Sequence, residues 1–304
     1  MNGILIIDKP ENFTSHDVVA RLRRILKTKS IGHTGTLDPF ATGVLVMLIG
    51  KATRLAQFLD KDKKEYQAVV RLGFETDTGD RTGELRITNY ELRNVSVDEI
   101  EGVLKDFRGQ IEQTPPMYSA KKIAGKKLYE LARKGIEVER KPVNITIYEL
   151  QITNYESPKQ NDFGRGTLDF GRKIACSAGT YSRTVAEDIG KKLETGAHLA
   201  ELRRTKAGKF GIEKAVTLEE LEEIVAENKL DDVLISMNEA VSHLPEIKLS
   251  KEEIIKTKNG IKLKTEQIAD DGRFFRMIDE NENLIAIGFY KSAEKSIQPK
   301  LVLV

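Results

Sequence analysis

The segment Ile31-Gly-His-Thr-Gly-Thr-Leu-Asp-Pro-Phe-Ala-Thr-Gly-Val-Leu-Val46 constrains this chain more than any other. Gly32, Gly35 and Gly43 permit backbone shapes that a Cβ forbids, and they let another backbone or a ligand come close. Pro39 restricts the residue before it, Asp38, to an extended conformation. No helix forms through such a stretch. The chain must make a loop and then enter a buried strand, Val44 to Ile49, which is apolar and rich in branched residues. The loop carries one carboxylate, Asp38, standing off the backbone. An acid presented this way can be a nucleophile. It can equally be a turn aspartate bonding a nearby N–H, and spacing alone does not choose.

The rest of the chain alternates strand and helix signals. Gly3 to Ile7 reads as a buried strand. Ser15 reads as the N-cap of a helix with Asp17 in its first turn and Val18, Leu22, Ile25 and Leu26 on one face. Ala52 to Leu59 is a short helix, Tyr66 to Phe74 a strand and Val97 to Phe107 an amphipathic helix. Pro115-Pro116 break the chain before a helix at Lys127 to Lys134. Val143 to Thr153 and Thr167 to Cys176 read as paired strands with a polar loop, 156–165, between them. Thr180 can cap a helix running to about Leu193. Leu218 to Ala226 and Leu230 to Ala240 read as helices and Leu244-Pro245 as a linker. Beyond it the spacing predicts a short helix and strands at Arg273 to Ile278, Asn283 to Phe289 and Lys300 to Val304.

A chain of 304 residues with 39% hydrophobic and 32% charged residues can build two domains, or one large domain with an appendage. No apolar run approaches the ~20 residues of a membrane span, and Ile4 to Ile7 is too short for a signal segment. These features and the single cysteine, Cys176, point to a reducing cytoplasm. The net charge of +2 says little, but its distribution says more. Between Gln113 and Lys141, eight basic residues (Lys121, Lys122, Lys126, Lys127, Arg133, Lys134, Arg140, Lys141) outnumber three acids (Glu130, Glu137, Glu139). Arg203, Arg204, Lys206 and Lys209 form a second cluster. Such stripes are often solvated helix faces. Here Tyr118 and Tyr129 interleave the charge, a pattern that suits RNA by combining phosphate contacts with stacking platforms.

Other chemistries lack their signatures. His16, His33, His198 and His243 are scattered without HExxH spacing or cysteine partners, which argues against zinc. Thr76-Asp-Thr-Gly-Asp80 is turn chemistry without EF-hand spacing. Gly50-Lys51 has no P-loop context. Cys176 sits in an apolar strand, where a core role outweighs a nucleophilic one.

His33-Thr-Gly-Thr-Leu-Asp38, with Pro39 and Ala41-Thr-Gly43, resembles the catalytic loop of pseudouridine synthases, specifically the bacterial tRNA pseudouridine-55 synthase (TruB-type) family. Further segments resemble that family in its order, from about residue 3 to residue 211. They are Gly3-Ile-Leu-Ile-Ile-Asp-Lys-Pro10 with Thr14-Ser-His-Asp-Val18, Lys64-Glu-Tyr66, Pro115-Pro-Met-Tyr-Ser-Ala120 with Gly125 to Arg133, Cys176-Ser-Ala-Gly-Thr-Tyr-Ser-Arg183, and Gly196 to Arg204. The chain departs from the family's pattern at Glu11-Asn12, Ala178, Ser182 and Ala207.

The resemblance implies an α+β fold: a mixed, mostly antiparallel sheet flanked by helices around a central RNA-binding cleft, with a small C-terminal β-rich PUA-like domain. It implies a catalytic domain at 1–243, carrying an RNA-gripping insertion at about 113–142, and a small RNA-binding domain at 244–304. The implied activity is isomerisation of uridine to pseudouridine at position 55 in the tRNA T-arm, by base flipping, with no cofactor and no metal. The protein would act on tRNA as a cytoplasmic monomer, away from membranes and without an obligatory protein partner. By resemblance, Asp38 is the nucleophile, Arg183 its ion-pair partner, and Tyr66 stacks on the target base and joins a proton step. Tyr181 and Leu202 wall the pocket, and His33 lies near the displaced nucleotide. Lys121, Lys122, Lys126, Lys127, Arg203 and Arg204 hold the RNA, and Lys9-Pro10 supports the loop from below. Attack at C6, attack at C1′ and help in deprotonating C2′ all remain open for Asp38. Two other readings are a dyskerin-like catalytic subunit of a guide-RNA particle, which shares the Asp38 loop, and a tRNA chaperone.

Overall fold

The apolar run after the Asp38 loop becomes the Thr42–Ile49 strand of a ten-stranded sheet in the computed structural model, which describes residues 1–59, 62–86, 94–123, 125–156, 159–160, 166–265 and 270–304. One edge of this strand pairs antiparallel with Gly3–Lys9 along its whole length, from Gly3 opposite Ile49 to Lys9 opposite Gly43. Its other edge is shared. Val46 to Ile49 pair with Ile31–Thr34, while Thr42 and Gly43 pair in parallel with Arg203 and Arg204. From that join the sheet continues antiparallel through Ala197–Ala207, Lys64–Leu72, Gly166–Cys176, Val143–Tyr155 and Gly109–Gln113. At the join Gly43 has φ +98°, and a Cβ there would lie 2.2 Å from the Arg204 carbonyl oxygen. Only glycine lets the two halves of the sheet meet.

The two halves bury their faces differently. Around Gly3–Lys9 and Thr42–Ile49 both faces are covered. Leu5, Ile7, Leu45 and Met47 pack against the Ser15–Ile25 and Leu218–Ala226 helices. Ile4, Ile6, Val44, Val46 and Leu48 pack against Ile278, Leu284, Ile287 and Leu301. Burial on both sides explains why these strands read as continuous apolar runs. In the other half one face is apolar, with Tyr66, Val70, Phe170, Ile174, Leu199 and Leu202 under the Val97–Leu104 and Ser182–Lys192 helices. The opposite face is polar and carries cross-strand pairs such as Arg71–Asp169 (2.7 and 2.6 Å) and Lys173–Glu149 (3.3 Å).

A second sheet, of five strands, forms a small C-terminal β domain in the order Glu246–Lys248, Phe274–Ile278, Leu284–Lys291, Ser296–Val302, Leu263–Lys264. Its apolar residues share a core with the large sheet. The α+β architecture is the one the sequence implies.

Several local readings are corrected. Thr14, not Ser15, is the N-cap of the first helix and forms a capping box with Asp17. The Ser15 hydroxyl is thereby free to accept from the Leu37 N–H at 3.0 Å. Thr180 does not cap its helix; its hydroxyl bonds the Ser177 carbonyl at 2.9 Å, and the helix begins at Ser182. No continuous helix covers Leu230 to Ala240. Ile235 instead exchanges two backbone hydrogen bonds of 2.9 Å with Ile4, so pairing beside the sheet overrides local helix preference. The basic insertion holds a short helix, Leu128–Ala132, preceded by a hairpin in which Lys122 faces Lys127 and Ile123 faces Lys126. The predicted polar loop, 156–165, lies mostly outside the described residues.

Candidate active site

The Asp38 loop is clamped from beneath. Lys9 ends the first strand with its side chain fully buried, and its ammonium donates to the carbonyls of Pro10 (2.7 Å), Phe13 (2.6 Å) and Pro39 (3.1 Å). Burial lowers its pKa to about 8, with Asp38 pulling the other way. Ser15 holds Leu37, the Asn12 N–H donates to the Pro39 carbonyl (2.8 Å), and the Ala41 N–H donates to the Asp38 carbonyl (3.1 Å). The reading of Lys9 as a support for the loop agrees with these bonds.

Asp38 opens into a cavity of about 290 Å³. Its carboxylate meets Arg183 in a two-point fork, Nε to Oδ2 at 3.0 Å and Nη2 to Oδ1 at 3.2 Å. The Arg183 side chain is 6% exposed and that of Asp38 34%, so the acid faces the cavity while its partner is sealed behind it. The remaining guanidinium donors are also used. Nη1 donates to the Thr78 carbonyl (2.8 Å), Nη2 to the Tyr118 carbonyl (2.6 Å), and Asp80 Oδ2 lies 3.6 Å from Nη1. Asp80 is itself fixed by the Thr78 hydroxyl (3.0 Å) and by the Thr82 N–H (3.0 Å) and hydroxyl (2.6 Å). Burial raises the Asp38 carboxyl above its ordinary value; Arg183 opposes that rise and Asp80 adds to it. A bidentate guanidinium is the arrangement that keeps a partly desolvated carboxylate ionised and aimed.

Tyr66 projects from the Lys64–Leu72 strand into the same cavity, directly across from Arg204 on the neighbouring strand. Burial raises the pKa of its phenol, and Arg204 pulls it down. Tyr181 and Leu202 line the cavity, with Lys64 from the sheet and Ser119, Ala120 and Lys121 from the insertion. Tyr181 is held by Gln113, whose side chain accepts from its N–H (2.8 Å) and donates to its carbonyl (3.1 Å).

Other predicted site residues are placed differently. Arg203 and Arg204 are strand neighbours and point to opposite faces. Arg204 lines the cavity but is 1% exposed; its guanidinium donates to the Val44 (2.6 Å) and Gly35 (3.0 Å) carbonyls and also hydrogen-bonds the Tyr66 phenol. It braces the loop. Arg203 faces away from Asp38 in a fork with Asp8 (3.1 and 2.6 Å). There it borders a larger groove of about 620 Å³ on the polar face of the sheet. The charged groups of that groove include Arg203, paired with Asp8, and Arg81, paired with Glu11. Reactive groups converge instead in the Asp38 cavity. His33 does not line that cavity. Its ring stands edge-on to His16 at 5.8 Å, and burial, then His16 and Arg204, push its pKa down to about 4. Lys122 and Lys126 are exposed, and Lys127 donates to the Tyr129 hydroxyl at 3.2 Å.

Sequence reasoning missed Thr78, Asp80 and Gln113. The Thr76–Asp80 stretch was legible only as a turn, because its partner Arg183 is remote in sequence. Gln113 carries no local signal. Among the described residues no group of three or more His, Cys, Asp or Glu is arranged to hold a metal, and no helix is long and apolar enough to cross a membrane.

Comparison with known proteins shows what the chain is similar to. A family model described as TruB family pseudouridylate synthase (N terminal domain) matches residues 23–182, and one described as tRNA pseudouridylate synthase B C-terminal domain matches residues 183–242. A tRNA pseudouridine synthase B of Bacillus thuringiensis (strain Al Hakam) is 43% identical over 94% of this chain and 92% of its own length. One from Bacillus pumilus (strain SAFR-032) is 44% identical over 86% of this chain and 82% of its own. Among solved structures, a chain of a Cbf5-Nop10-Gar1 complex superposes with a TM-score of 0.72 at 27% identity, covering 99% of this chain and 85% of that one. A chain of an H/ACA RNP bound to a substrate RNA containing 2′-deoxyuridine gives the same TM-score at 26% identity.

Proposed function

The chain belongs to the TruB family of pseudouridylate synthases and is a tRNA pseudouridine synthase, an isomerase; from that premise we propose that it modifies uridine 55 in the T-arm, with Asp38 as the nucleophile. The observation that carries the reading is the Asp38–Arg183 fork at the floor of a cavity walled by Tyr66, Tyr181 and Leu202. The reaction breaks the N1–C1′ bond of uridine, turns the base and rejoins it through C5. Atoms and electrons balance within the nucleotide, so the chemistry asks for an ionised acid beside the sugar and a place for the base to turn. The fork supports the first. The cavity volume, near the roughly 300 Å³ lower bound of small-molecule sites, suits one nucleotide and excludes a helix.

The target base must therefore leave its stack, at about a few kcal/mol. Stacking on Tyr66 and phosphate contacts from Lys121 at the cavity and from Lys122, Lys126 and Lys127 in the hairpin beyond it offset that cost. Tyr66 has its hydroxyl under Arg204's influence and takes part in a proton step. We assign 1–243 to catalysis and 244–304 to additional RNA contact, in a protein that works without partner subunits. A guide-RNA role is the second reading, because chains from Cbf5 complexes align with nearly all of this one. The tRNA enzymes, at 43% against 27% identity, weigh more.

The test is to incubate the purified protein with a T-arm minihelix, without guide RNA, and to map pseudouridine chemically. Product at position 55 is expected. No product on the bare T-arm, with product appearing once guide RNA and partners are added, would favour the second reading.

A further inference from the structure

The Ser182–Lys192 helix, which carries Arg183, starts without a side-chain cap: its N-cap residue, Tyr181, makes no capping hydrogen bond. Buried side chains from two strands hold this start instead. Gln113 clamps both backbone groups of Tyr181. Arg172, from the Gly166–Cys176 strand, donates from Nη2 to the Ser182 carbonyl at 3.0 Å. The next residue is Arg183.

Arg172 is unusual in its surroundings. It is 0% exposed, and its Nε and Nη1 have no hydrogen-bond partner among the described residues. Its strand neighbours on the same face, Phe170 and Ile174, are core residues. Burial lowers its guanidinium to about 10, and the one charge-bearing neighbour that opposes this is the Cys176 thiol. That thiol is itself pushed up to about 11 by burial, so it stays neutral and offers no counter-charge. A buried cation without a counter-charge destabilises a fold, and an apolar side chain of similar volume in its place is often stabilising. The hydrogen bond to Ser182 is what the arginine offers and an apolar residue cannot.

We propose that Arg172 is a positioning residue of the isomerase: it fixes the Ser182 carbonyl in the uncapped first turn so that Arg183 presents its fork to Asp38, and the chain keeps a destabilising buried cation for that purpose. This rests on the reading of Asp38 and Arg183 as the catalytic pair.

The full-length Arg172→Met and Arg172→Gln variants test it, by melting temperature, tRNA affinity and single-turnover rate across pH. Arg172→Met should melt above wild type, bind tRNA as wild type does and turn over about tenfold or more slowly, since small misplacements of reacting groups cost that much. Its acid limb should move to higher pH, because a displaced Arg183 no longer pulls the Asp38 carboxyl down. Arg172→Gln keeps an N–H for Ser182 and should recover part of the rate. The inference is overturned by a Met variant with wild-type rate and pH profile, by one that melts lower or does not fold, or by equal rates for Gln and Met. Asp38→Asn in the same assay separates the two layers. Turnover by that variant removes the catalytic pair itself, whereas an inactive Asp38→Asn beside an unperturbed Arg172→Met removes only the role of Arg172.

Discussion

The Asp38 loop lines the cavity, the basic segment Lys121 to Lys127 touches it through Lys121, and the two are built in opposite ways. The loop is pinned by buried groups from several parts of the chain: Lys9, Ser15, Arg183 and Arg204. In the hairpin Lys122 and Lys126 are exposed and Lys121 and Lys127 half-buried, and the bond from Lys127 stays within its own segment. A carboxylate that acts in the chemical step needs a fixed position, and that requires many converging bonds. Cations that meet a phosphate backbone work through charge, tolerate movement and need only proximity. Converging bonds are therefore concentrated at the Asp38 loop and are few at the basic hairpin.

The sharpest way to break this contrast is Asp38→Asn. It should abolish pseudouridine formation while leaving tRNA affinity within about tenfold, since phosphate contacts lie elsewhere. Measurable turnover, after deamidation is excluded, would remove Asp38 from its role. Next in size is Tyr66→Phe, which keeps the ring and loses the hydroxyl. A proton-transfer role predicts a rate loss on the order of 10²–10⁴ with binding barely changed. A near-wild-type single-turnover rate would leave Tyr66 as a stacking platform.

Neutralising Lys121, Lys122, Lys126 and Lys127 together tests the other side. Each phosphate contact contributes roughly −0.7 to −0.9 to the log–log salt slope, so the slope should flatten by up to about 3 while the rate at saturating enzyme stays intact. An unchanged slope would make the hairpin a solvated surface. Lys9→Met leaves three carbonyls without their donor and should lower stability by about 1–3 kcal/mol, seen as a lower denaturant midpoint, together with slower turnover. If turnover survives that loss, the loop does not depend on its clamp. The smallest effect belongs to Arg203→Gln. A half-exposed pair on the far face is worth about 0–1 kcal/mol, so rate and affinity should stay near wild type. A large fall in tRNA affinity would place RNA on the polar face of the sheet.

Much of the site was legible before the fold was known. Glycine, proline and a following apolar run are local signals, and they located the loop and its strand correctly. The acid, the tyrosine and Arg183 were readable by resemblance, because their segments keep their composition. What was not legible depended on register. Arg203 and Arg204 look equivalent in a basic cluster, yet adjacent strand residues face opposite sides, and only the pairing with Thr42 and Gly43 shows which side holds the cavity. The stretch Leu230 to Ala240 has helical spacing, but Ile235 pairs with Ile4, a contact that no local window contains.

The sequence by itself determined the local geometry: a non-helical loop carrying one carboxylate, a buried apolar strand behind it, and basic residues interleaved with aromatic rings. Those features follow from backbone sterics and hydrophobic periodicity, which act over a few residues. The tertiary structure alone decided the convergence. Arg183 reaches Asp38, Asp80 braces Arg183, and Gln113 and Arg172 hold the turn beside it; Asp38, Asp80 and Gln113 come from segments distant along the chain, and Arg172 from the strand just before the helix. Such pairings arise when strands choose their neighbours and buried polar groups find the partners that desolvation makes obligatory.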